Sequence, residues 1–228
     1  MSSRMNQPIK RSPLHSTAQA LAAQFADEAG WQTPEIFTGV ETETAAARQN
    51  VALADASANG KILVQGQAAA AVLLAVSLEI GAGMATGLGH IYRLRPDLFF
   101  ISTPPGAETD AVHSIRLAVP AAGDLVTVTD VTHGRAQLQL IGPNSRDLLS
   151  RLCGLDFHPT AFPNLAARQS SFAKTTQLII RRDLGQLPAF ALIGARSLAA
   201  YLYDTIMQAG RDLGIAPIGR TAIEEIGD

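Results

Sequence analysis

Carboxylate and hydroxyl side chains recur in one short pattern, Asp-x-Ser/Thr, which occurs at Asp55–Ser57 and again at Asp130–Thr132. The first copy runs on to Asn59–Gly60 and so matches the first half of a calcium-binding loop. Such a loop also needs a carboxylate at its twelfth position, and Gly66 stands there. Because Asn-Gly is by itself a strong hairpin signal, the pattern favours a turn over a calcium site.

A second candidate is the glycine-rich stretch Gly81–Gly89, which could cradle a phosphate. The dinucleotide-binding turn needs a fixed glycine spacing that opens a helix. Here the third glycine comes one residue late, and the following residues, HIYRL, have the pattern of a strand. A flexible connector is therefore the favoured interpretation.

The single cysteine, Cys153, lies five residues before His158, so the two could form a nucleophile and its base. Such pairs are recognised by their geometry in space rather than by closeness in sequence. A packed, unreactive cysteine is the more common case and is favoured here. None of the five histidines has a second ligand at metal-binding spacing, so no metal site is predicted.

The overall composition narrows the function classes. The chain has 228 residues with 47% hydrophobic and 17% charged residues, which is typical of a globular protein. A net charge of −2 leaves no basic surplus for phosphates, so nucleic acid is not an expected partner. The longest apolar run, residues 68–76, is too short to span a bilayer. With one cysteine and no apolar core near the N-terminus, a cytoplasmic protein is expected.

An internal repeat organises the elements that must position these residues. A strand–turn–strand unit over residues 51–66 leads into a predicted helix over 67–79. The unit recurs over 126–142 and leads into a predicted helix over 144–152. The offset of about 75 residues, with one gap, predicts a duplicated half-domain rather than a solenoid.

Strands interspersed with helices predict an α+β fold with mostly antiparallel sheets. Residues 1–16 are predicted to form a flexible arm before one domain over 17–228, with halves of about 17–120 and 121–228. The remaining predicted elements are a helix over 16–29, an irregular stretch over 31–45, two strands within 90–103, a helix over 108–118, paired strands over 178–182 and 189–193, and a helix over 197–209.

Two segments carry a family resemblance. ARQNVALADASANGKILVQG, residues 47–66, resembles the R-x-x-A-G-L-F-D-V-S-H-M-G-K-I-x-V-x-G stretch of glycine-cleavage T-proteins. LCGLDFHPTAFPN, residues 152–164, is similar to the C-P-L-D-L-H-P-x-x-F-P segment of the sarcosine oxidase gamma subunit. With diffuse similarity over roughly residues 11–226, the chain resembles the folate-binding domain superfamily of these proteins, most of all the gamma subunit.

The resemblance implies two duplicated, interlocked β–α subdomains without the C-terminal barrel of T-proteins. It also implies a central hole in which tetrahydrofolate, the one cofactor expected, could bind. The carboxylates that T-proteins place in an I-D-D-L-I-V-Y run and a Y-T-G-E-x-G-F-E strand are missing from the matching runs, residues 87–92 and 182–190. The polar groups left for a folate pocket are Arg48, Asp183, Gln186 and Glu224.

Two functional hypotheses follow from this resemblance. The first is an accessory, non-catalytic subunit of a sarcosine-oxidase-like flavoenzyme complex in folate-linked one-carbon metabolism, whose partners would be flavin oxidase subunits or further copies of the chain. The alternative is a folate-binding, aminomethyltransferase-like protein with a rearranged tetrahydrofolate pocket. The chain is not expected to be catalytic on its own; as part of an enzyme, it would belong to a sarcosine oxidase complex, an oxidoreductase, or to an aminomethyltransferase.

Overall fold

A computed structural model describes residues 9–120 and 125–227. Its helices are α1 (His15–Ala20), α2 (Val40–Gln49), α3 (Ala69–Val72), α4 (Glu108–Ala118), α5 (Ser145–Leu152), α6 (Ala199–Ala209) and α7 (Arg220–Gly227). Its strands are β1 (Lys10–Arg11), β2 (Gln24–Glu28), β3 (Trp31–Ile36), β4 (Val51–Asp55), β5 (Gly60–Gln65), β6 (Gly83–Thr86), β7 (Gly89–Arg95), β8 (Leu98–Thr103), β9 (Thr127–Asp130), β10 (Arg135–Ile141), β11 (Ala167–Phe172), β12 (Thr175–Arg181), β13 (Ala189–Ala195) and β14 (Ile215–Pro217).

The strands form three sheets. The main sheet has the order β11-β12-β13-β10-β4-β14, and it is antiparallel except where β14 joins β4. The second sheet has the order β6-β7-β8-β5-β9 and is antiparallel throughout. The small sheet has the order β1-β3-β2. The architecture is therefore the mixed, mostly antiparallel fold that the sequence predicts.

Each copy of the internal repeat contributes one strand to the main sheet and one strand to the second sheet. β4 pairs with β10 in the main sheet, with Asp55 opposite Leu138, whereas β5 pairs with β9 in the second sheet, with Ile62 opposite Asp130. The predicted hairpins are therefore wrong, because the two strands of each copy separate into different sheets. The duplicated, interlocked halves are confirmed.

The aspartate of each repeat copy holds the turn at which its strands separate. Asp55 Oδ1 accepts the backbone N–H of Ser57 at 3.0 Å, and Asp130 Oδ1 accepts that of Thr132 at 2.8 Å. These local bonds form tight Asx turns, a role that suits aspartate in a loop. The Asp-x-Ser/Thr pattern is therefore a turn signal.

The hydroxyls of the two motifs bind across the repeat. Ser57 Oγ accepts the backbone N–H of Gln137 at 3.1 Å, and Thr132 Oγ1 accepts that of Lys61 at 2.9 Å. The two aspartates are 75 residues apart in the sequence, whereas the two equivalent donors, Lys61 and Gln137, are 76 residues apart. The one-residue gap between the two copies of the repeat therefore lies in the turn. Each copy thereby satisfies a buried donor of the other copy.

Each face of the main sheet packs on a different layer. On one face, Leu138 of β10 lies in a core with Leu148 of α5 and Ile206 of α6. On the other face, Ile180 of β12 packs with Tyr92 of the second sheet. The two-residue period of the strands produces this division, and it brings the two larger sheets face to face.

The predicted helix over residues 16–29 is wrong beyond its first turns. Helix α1 ends at Ala20, and Gln24–Glu28 form β2, which pairs with β3. Ala22 takes a left-handed φ of 57° between the two elements. Alanine favours a helix, but Leu21 is exposed and finds no core, whereas β3 offers a strand partner.

The stretch over residues 31–45, predicted to be irregular, contains β3 and the start of α2. Trp31 begins β3 fully buried, with its ring stacked on His133 at a centroid distance of 4.8 Å. Because Thr33–Pro34 is typical of a break in regular secondary structure, the sequence did not predict this strand. The tertiary burial of the tryptophan outweighs the local signal.

The helix predicted over residues 67–79 has four residues, Ala69–Val72. Leu74 takes a left-handed φ of 53°, and the N–H of Ala75 turns back to the carbonyl of Ala70. Leu74 is also 86% exposed, whereas Leu73 and Ala75 on either side of it are buried, so the chain leaves the helix at Leu74 and reaches the core through its two neighbours.

Residues 1–8 of the predicted flexible arm lie outside the described residues. Of the rest, Lys10–Arg11 form β1 beside β3, and Leu14 is fully buried. This part of the predicted arm packs against the domain.

Other predicted elements are confirmed. The helix over residues 108–118 is α4 with the same bounds, and the strands over 178–182 and 189–193 are β12 and β13, which pair antiparallel. Helix α6 ends before Gly210, as the sequence predicts.

Candidate functional site

A cavity of about 180 Å³ lies between the small sheet, the turn after β4 and helix α7. We name it the polar cavity after its lining. The polar lining consists of Glu28, Thr33, Asp55, Asn59, Gln139, Arg182, Arg220 and Glu224. These residues come from five separate parts of the sequence, which the small sheet, the main sheet and α7 bring together.

The inner wall of the polar cavity separates it from the space between the two larger sheets. Arg182 and Gln139 line both spaces, and the inner space has a free volume of only about 10 Å³. Arg182 Nη1 lies 3.2 Å from His90 Nδ1, and the His90 ring stacks on Tyr92 with centroids 6.4 Å apart. Side chains therefore fill the intersheet space beside Arg182, whereas another cavity of about 230 Å³, lined by Phe100 and Leu178, lies between the same two sheets.

The electrostatics of this wall favour a neutral His90. Burial lowers the pKa of the His90 imidazole, and the neighbouring Arg182 guanidinium lowers it further. A neutral imidazole has one ring nitrogen free to accept, so Nδ1 can accept the Arg182 N–H. The pair joins the second sheet to the main sheet.

Arg182 has no carboxylate partner among the described residues, and its contact with His90 is its single side-chain hydrogen bond there. Its neighbour Arg181 is bound differently. Arg181 forms two bonds to Asp183, of 2.9 and 2.8 Å, and donates a third to the carbonyl of Phe162. The fork-like pair fixes the strand end and leaves Asp183 with no free role at the cavity.

At the mouth, Arg220 pairs with Glu224, four residues later on α7, and with Glu35 at 3.1 Å. Burial raises the pKa of the nearby Glu28 carboxyl, while the Arg220 charge opposes that rise. Glu28 makes no ion pair with any residue in the described ranges. The mouth therefore carries more negative than positive charge.

A buried glutamate holds this end of the domain in place. Glu43 Oε1 accepts the N–H groups of residues 37, 38 and 39 at 2.7, 2.8 and 3.2 Å. Its Oε2 accepts the N–H of Gly219 at 2.7 Å, and the residue is 1% exposed. One carboxylate thus ties the start of α2 to the start of α7. Sequence reasoning missed it because Glu43 lies in a stretch predicted to be irregular.

The four residues predicted for a folate pocket do not converge. Glu224 lines the polar cavity, and Asp183 forms the ion pair described above. Arg48 is exposed on α2, and Gln186 is exposed in the tight turn between Leu184 and Leu187. Folate binding by these four residues stays a prediction.

The other chemical candidates lie apart from the cavity. Cys153 is buried with Sγ 3.7 Å from Ser170 Oγ, whereas His158 Nδ1 lies 2.8 Å from Thr160 Oγ1 in a separate surface groove. The glycine-rich stretch forms the β6–β7 hairpin. Within residues 9–120 and 125–227, no group of three or more His, Cys, Asp or Glu side chains could hold a metal ion.

Lys61 is a fully buried cation that is not part of the lining of the polar cavity. Its Nζ donates to the carbonyls of Ser57, at 3.0 Å, and Asn59. Burial lowers the pKa of this lysine to about 8, against the opposing effect of Asp55. Because it is sealed from solvent, we interpret it as a brace of the turn.

No helix in the described part of the chain has the length and apolarity needed to cross a bilayer.

The chain was compared with known families and proteins. The family model described as the GCVT N-terminal domain matches residues 14–226. Among curated proteins, the chain is 28% identical to the sarcosine oxidase subunit alpha of Rhizobium meliloti, covering 93% of this chain and 24% of that protein. It is 26% identical to the aminomethyltransferase of Saccharopolyspora erythraea, covering 92% of this chain and 60% of that protein. The chain thus spans only part of these relatives.

Solved structures show the same fold. The glycine cleavage system aminomethyltransferase T of Bartonella henselae matches with a TM-score of 0.80 and 19% identity, over 96% of this chain and 62% of that chain. A chain of the heterotetrameric sarcosine oxidase of Corynebacterium sp. U-96 matches with a TM-score of 0.68 and 19% identity, over 91% of this chain and 97% of that chain.

Proposed function

The chain belongs to the GCVT N-terminal domain family, and on that premise we propose that it is an accessory, non-catalytic subunit of a sarcosine-oxidase-like flavoenzyme complex. Its relatives include aminomethyltransferases and sarcosine oxidase alpha subunits.

The small free volumes at the centre of the domain support a non-catalytic role. Between the two larger sheets, the space beside Arg182 and Tyr92 has about 10 Å³ free, and a second cavity lined by Phe100 and Leu178 has about 230 Å³. Clefts that hold drug-sized ligands have about 300–1,000 Å³. The polar cavity, at about 180 Å³, is also below that range. These three central spaces all lie below that range, which supports a role for this chain that does not depend on tetrahydrofolate.

The lengths of the matched chains support the subunit role. The chain covers about a quarter of the Rhizobium meliloti alpha subunit but 97% of a chain in the heterotetrameric oxidase structure. A domain of this size and fold is thus an individual chain in that complex. We propose the same arrangement here, with flavin oxidase subunits as the partners and self-association as the alternative.

Exposed apolar side chains support contact with a partner. Leu74, Val76 and Ile80 follow helix α3 and are more than half exposed. Leu117 and Leu125 are also largely exposed, at the end of α4 and just before β9. Exposed apolar surface of this kind is typical of interaction sites when it forms a patch.

The experiment has two arms. The first titrates the purified chain with tetrahydrofolate and assays aminomethyl transfer, and we expect neither micromolar binding nor turnover. The second co-expresses the chain with flavin oxidase subunits of the same source, and we expect elution with flavin absorbance in size-exclusion chromatography. Micromolar binding with turnover would instead establish the alternative, a folate-dependent transferase with a rearranged pocket. Elution as a homo-oligomer without flavin would favour self-association.

A further inference from the structure

The cavity of about 230 Å³ between the two larger sheets has an apolar interior, and we name it the apolar cavity. The second sheet contributes Leu63 and Phe100, which lie opposite each other on β5 and β8. The main sheet contributes Leu178 and Ile193, which lie opposite each other on β12 and β13. The other apolar lining residues are Leu94, Leu98 and Val131. The walls are therefore the two sheet faces that point toward each other.

The two sheets pack less closely at the apolar cavity than beside it. Leu63 and Leu94 point into the space between the sheets and are only half-buried. Tyr92, two residues before Leu94 on the same strand, is 1% exposed and packs with Ile180 of the main sheet. A cavity of about 150 Å³ lined by such apolar side chains can stay dry and admit benzene. The apolar cavity therefore has room for an apolar group of that size.

The opening of the apolar cavity is polar. Arg135, Gln169 and Thr176 line the cavity and are exposed, which places them at its edge. Gln169 lies opposite Leu178, and Thr176 lies two residues before Leu178 on β12, so both share the inner face of the main sheet. An amide, a hydroxyl and a guanidinium can all donate hydrogen bonds. The edge therefore offers several donors beside the apolar interior.

Arg135 is the one charged residue in the described lining of the apolar cavity. Within residues 9–120 and 125–227 it forms no ion pair. The acids that neighbour the lining in sequence have other partners. Asp130 accepts the N–H of Thr132 in its Asx turn, and Asp97 pairs with Arg95 at 3.6 Å. The charge at the opening is therefore positive and suits an anion.

We propose that the apolar cavity binds a small monocarboxylate with an apolar body about the size of a benzene ring, whose carboxylate lies at Arg135. The body would lie between Phe100 and Leu178, and the guanidinium would donate charge-assisted bonds to the carboxylate. A neutral molecule of the same shape would lose these bonds, and a cation would be repelled by Arg135. Such binding goes beyond the accessory role and does not depend on it.

Phenylacetate is the probe, with phenylacetamide and 2-phenylethylamine as a neutral and a cationic analogue of similar shape. Calorimetric titration of the full chain should show saturable binding of phenylacetate at millimolar concentrations or below. The affinity for each analogue should be weaker by at least about tenfold. Equal affinity for phenylacetamide would overturn the placement of the carboxylate at Arg135. The absence of saturable phenylacetate binding would overturn the whole proposal.

Variants test the two parts of the site separately. Arg135→Gln should weaken phenylacetate binding at least about tenfold and leave phenylacetamide binding unchanged. Leu63→Phe, which adds volume inside the cavity, should abolish the binding of both molecules. Arg211→Gln, which removes an exposed arginine outside the apolar cavity, is the matched control and should bind as the natural chain does.

Thermal unfolding of each variant separates a binding defect from a folding defect. Because Arg135 is exposed, its substitution tests the proposal even if Leu63→Phe does not fold. A folded Arg135→Gln or Leu63→Phe protein with unchanged affinity for phenylacetate would place the ligand elsewhere and overturn the proposal.

Discussion

The backbone N–H of Lys61 donates to the hydroxyl of Thr132 at 2.9 Å, across 71 residues of sequence. The mirror contact joins Gln137 to Ser57 across 80 residues. Both hydroxyl residues are almost completely buried. The two copies of the repeat are thus connected by two equivalent bonds at the point where their strands exchange.

Replacing the hydroxyl of Thr132 should destabilise the domain. Thr132→Val keeps the shape of the side chain but leaves the buried Lys61 N–H without an acceptor, which costs about 1–3 kcal/mol of unfolding free energy. Urea denaturation followed by circular dichroism measures the change. Thr129→Val, at an exposed position of β9, is the control and should change the free energy of unfolding little. Equal effects at both positions would contradict this account.

The Glu43 carboxylate should contribute more than a surface charge. Glu43→Gln weakens charge-assisted bonds to four buried or half-buried N–H groups, so we expect a loss of about 2–3 kcal/mol of unfolding free energy. Glu41→Gln, at an exposed position of the same helix, is the matched control. Chemical denaturation of both variants side by side decides whether the carboxylate has this role.

Stability should depend on pH through Lys61. Burial lowers the pKa of Lys61 from its ordinary value of 10.5 to about 8 in the folded chain. The unfolded chain therefore binds more protons between about pH 8 and 10.5, and stability should rise with pH over that interval. Lys61→Met should flatten this rise relative to the natural chain in denaturation series at several pH values. An identical slope in both proteins would contradict the assignment.

His90 should titrate below its ordinary range. Burial and then the Arg182 charge lower the pKa of its imidazole, so NMR titration should place the transition below 6.5. Between the lowered pKa of the folded chain and 6.5, His90 binds a proton in the unfolded chain but not in the folded chain. The free energy of unfolding should therefore fall as the pH drops below 6.5. Arg182→Gln should raise the pKa of His90 part of the way back, because it removes the charge but not the burial. Arg211→Gln, which removes an exposed arginine outside the polar cavity, is the control and should leave the titration of His90 unchanged.

The sequence predicted the repeat because its signals are local. Aspartates that form Asx turns and strands that alternate with a period of two can be recognised without knowing which distant residues they contact. Helix α4 was predicted with the bounds that the structure has. The pairing of the repeat strands is not local. Asn59–Gly60 indicates a hairpin, but β4 and β5 find better partners in β10 and β9, whose positions only the whole fold determines.

The candidate site was predicted less well, for a physical reason. Arg181 and Arg182 look alike in the sequence, yet successive side chains of a strand point to opposite faces. Arg181 therefore meets Asp183, two residues on, while Arg182 points to the cavity. This alternation was a usable signal. Glu28 had none, because the segment around it was predicted to be a helix and is a strand.

The exchange of strands between the main and second sheets has a consequence for autonomy. A single copy of the repeat supplies one strand to each sheet and leaves both strands without their repeat partners. One half expressed alone would therefore have to recruit a second half, as in a domain-swapped dimer. The two halves therefore form one folding unit, and a substitution that disrupts the turn of either copy should destabilise both the main sheet and the second sheet.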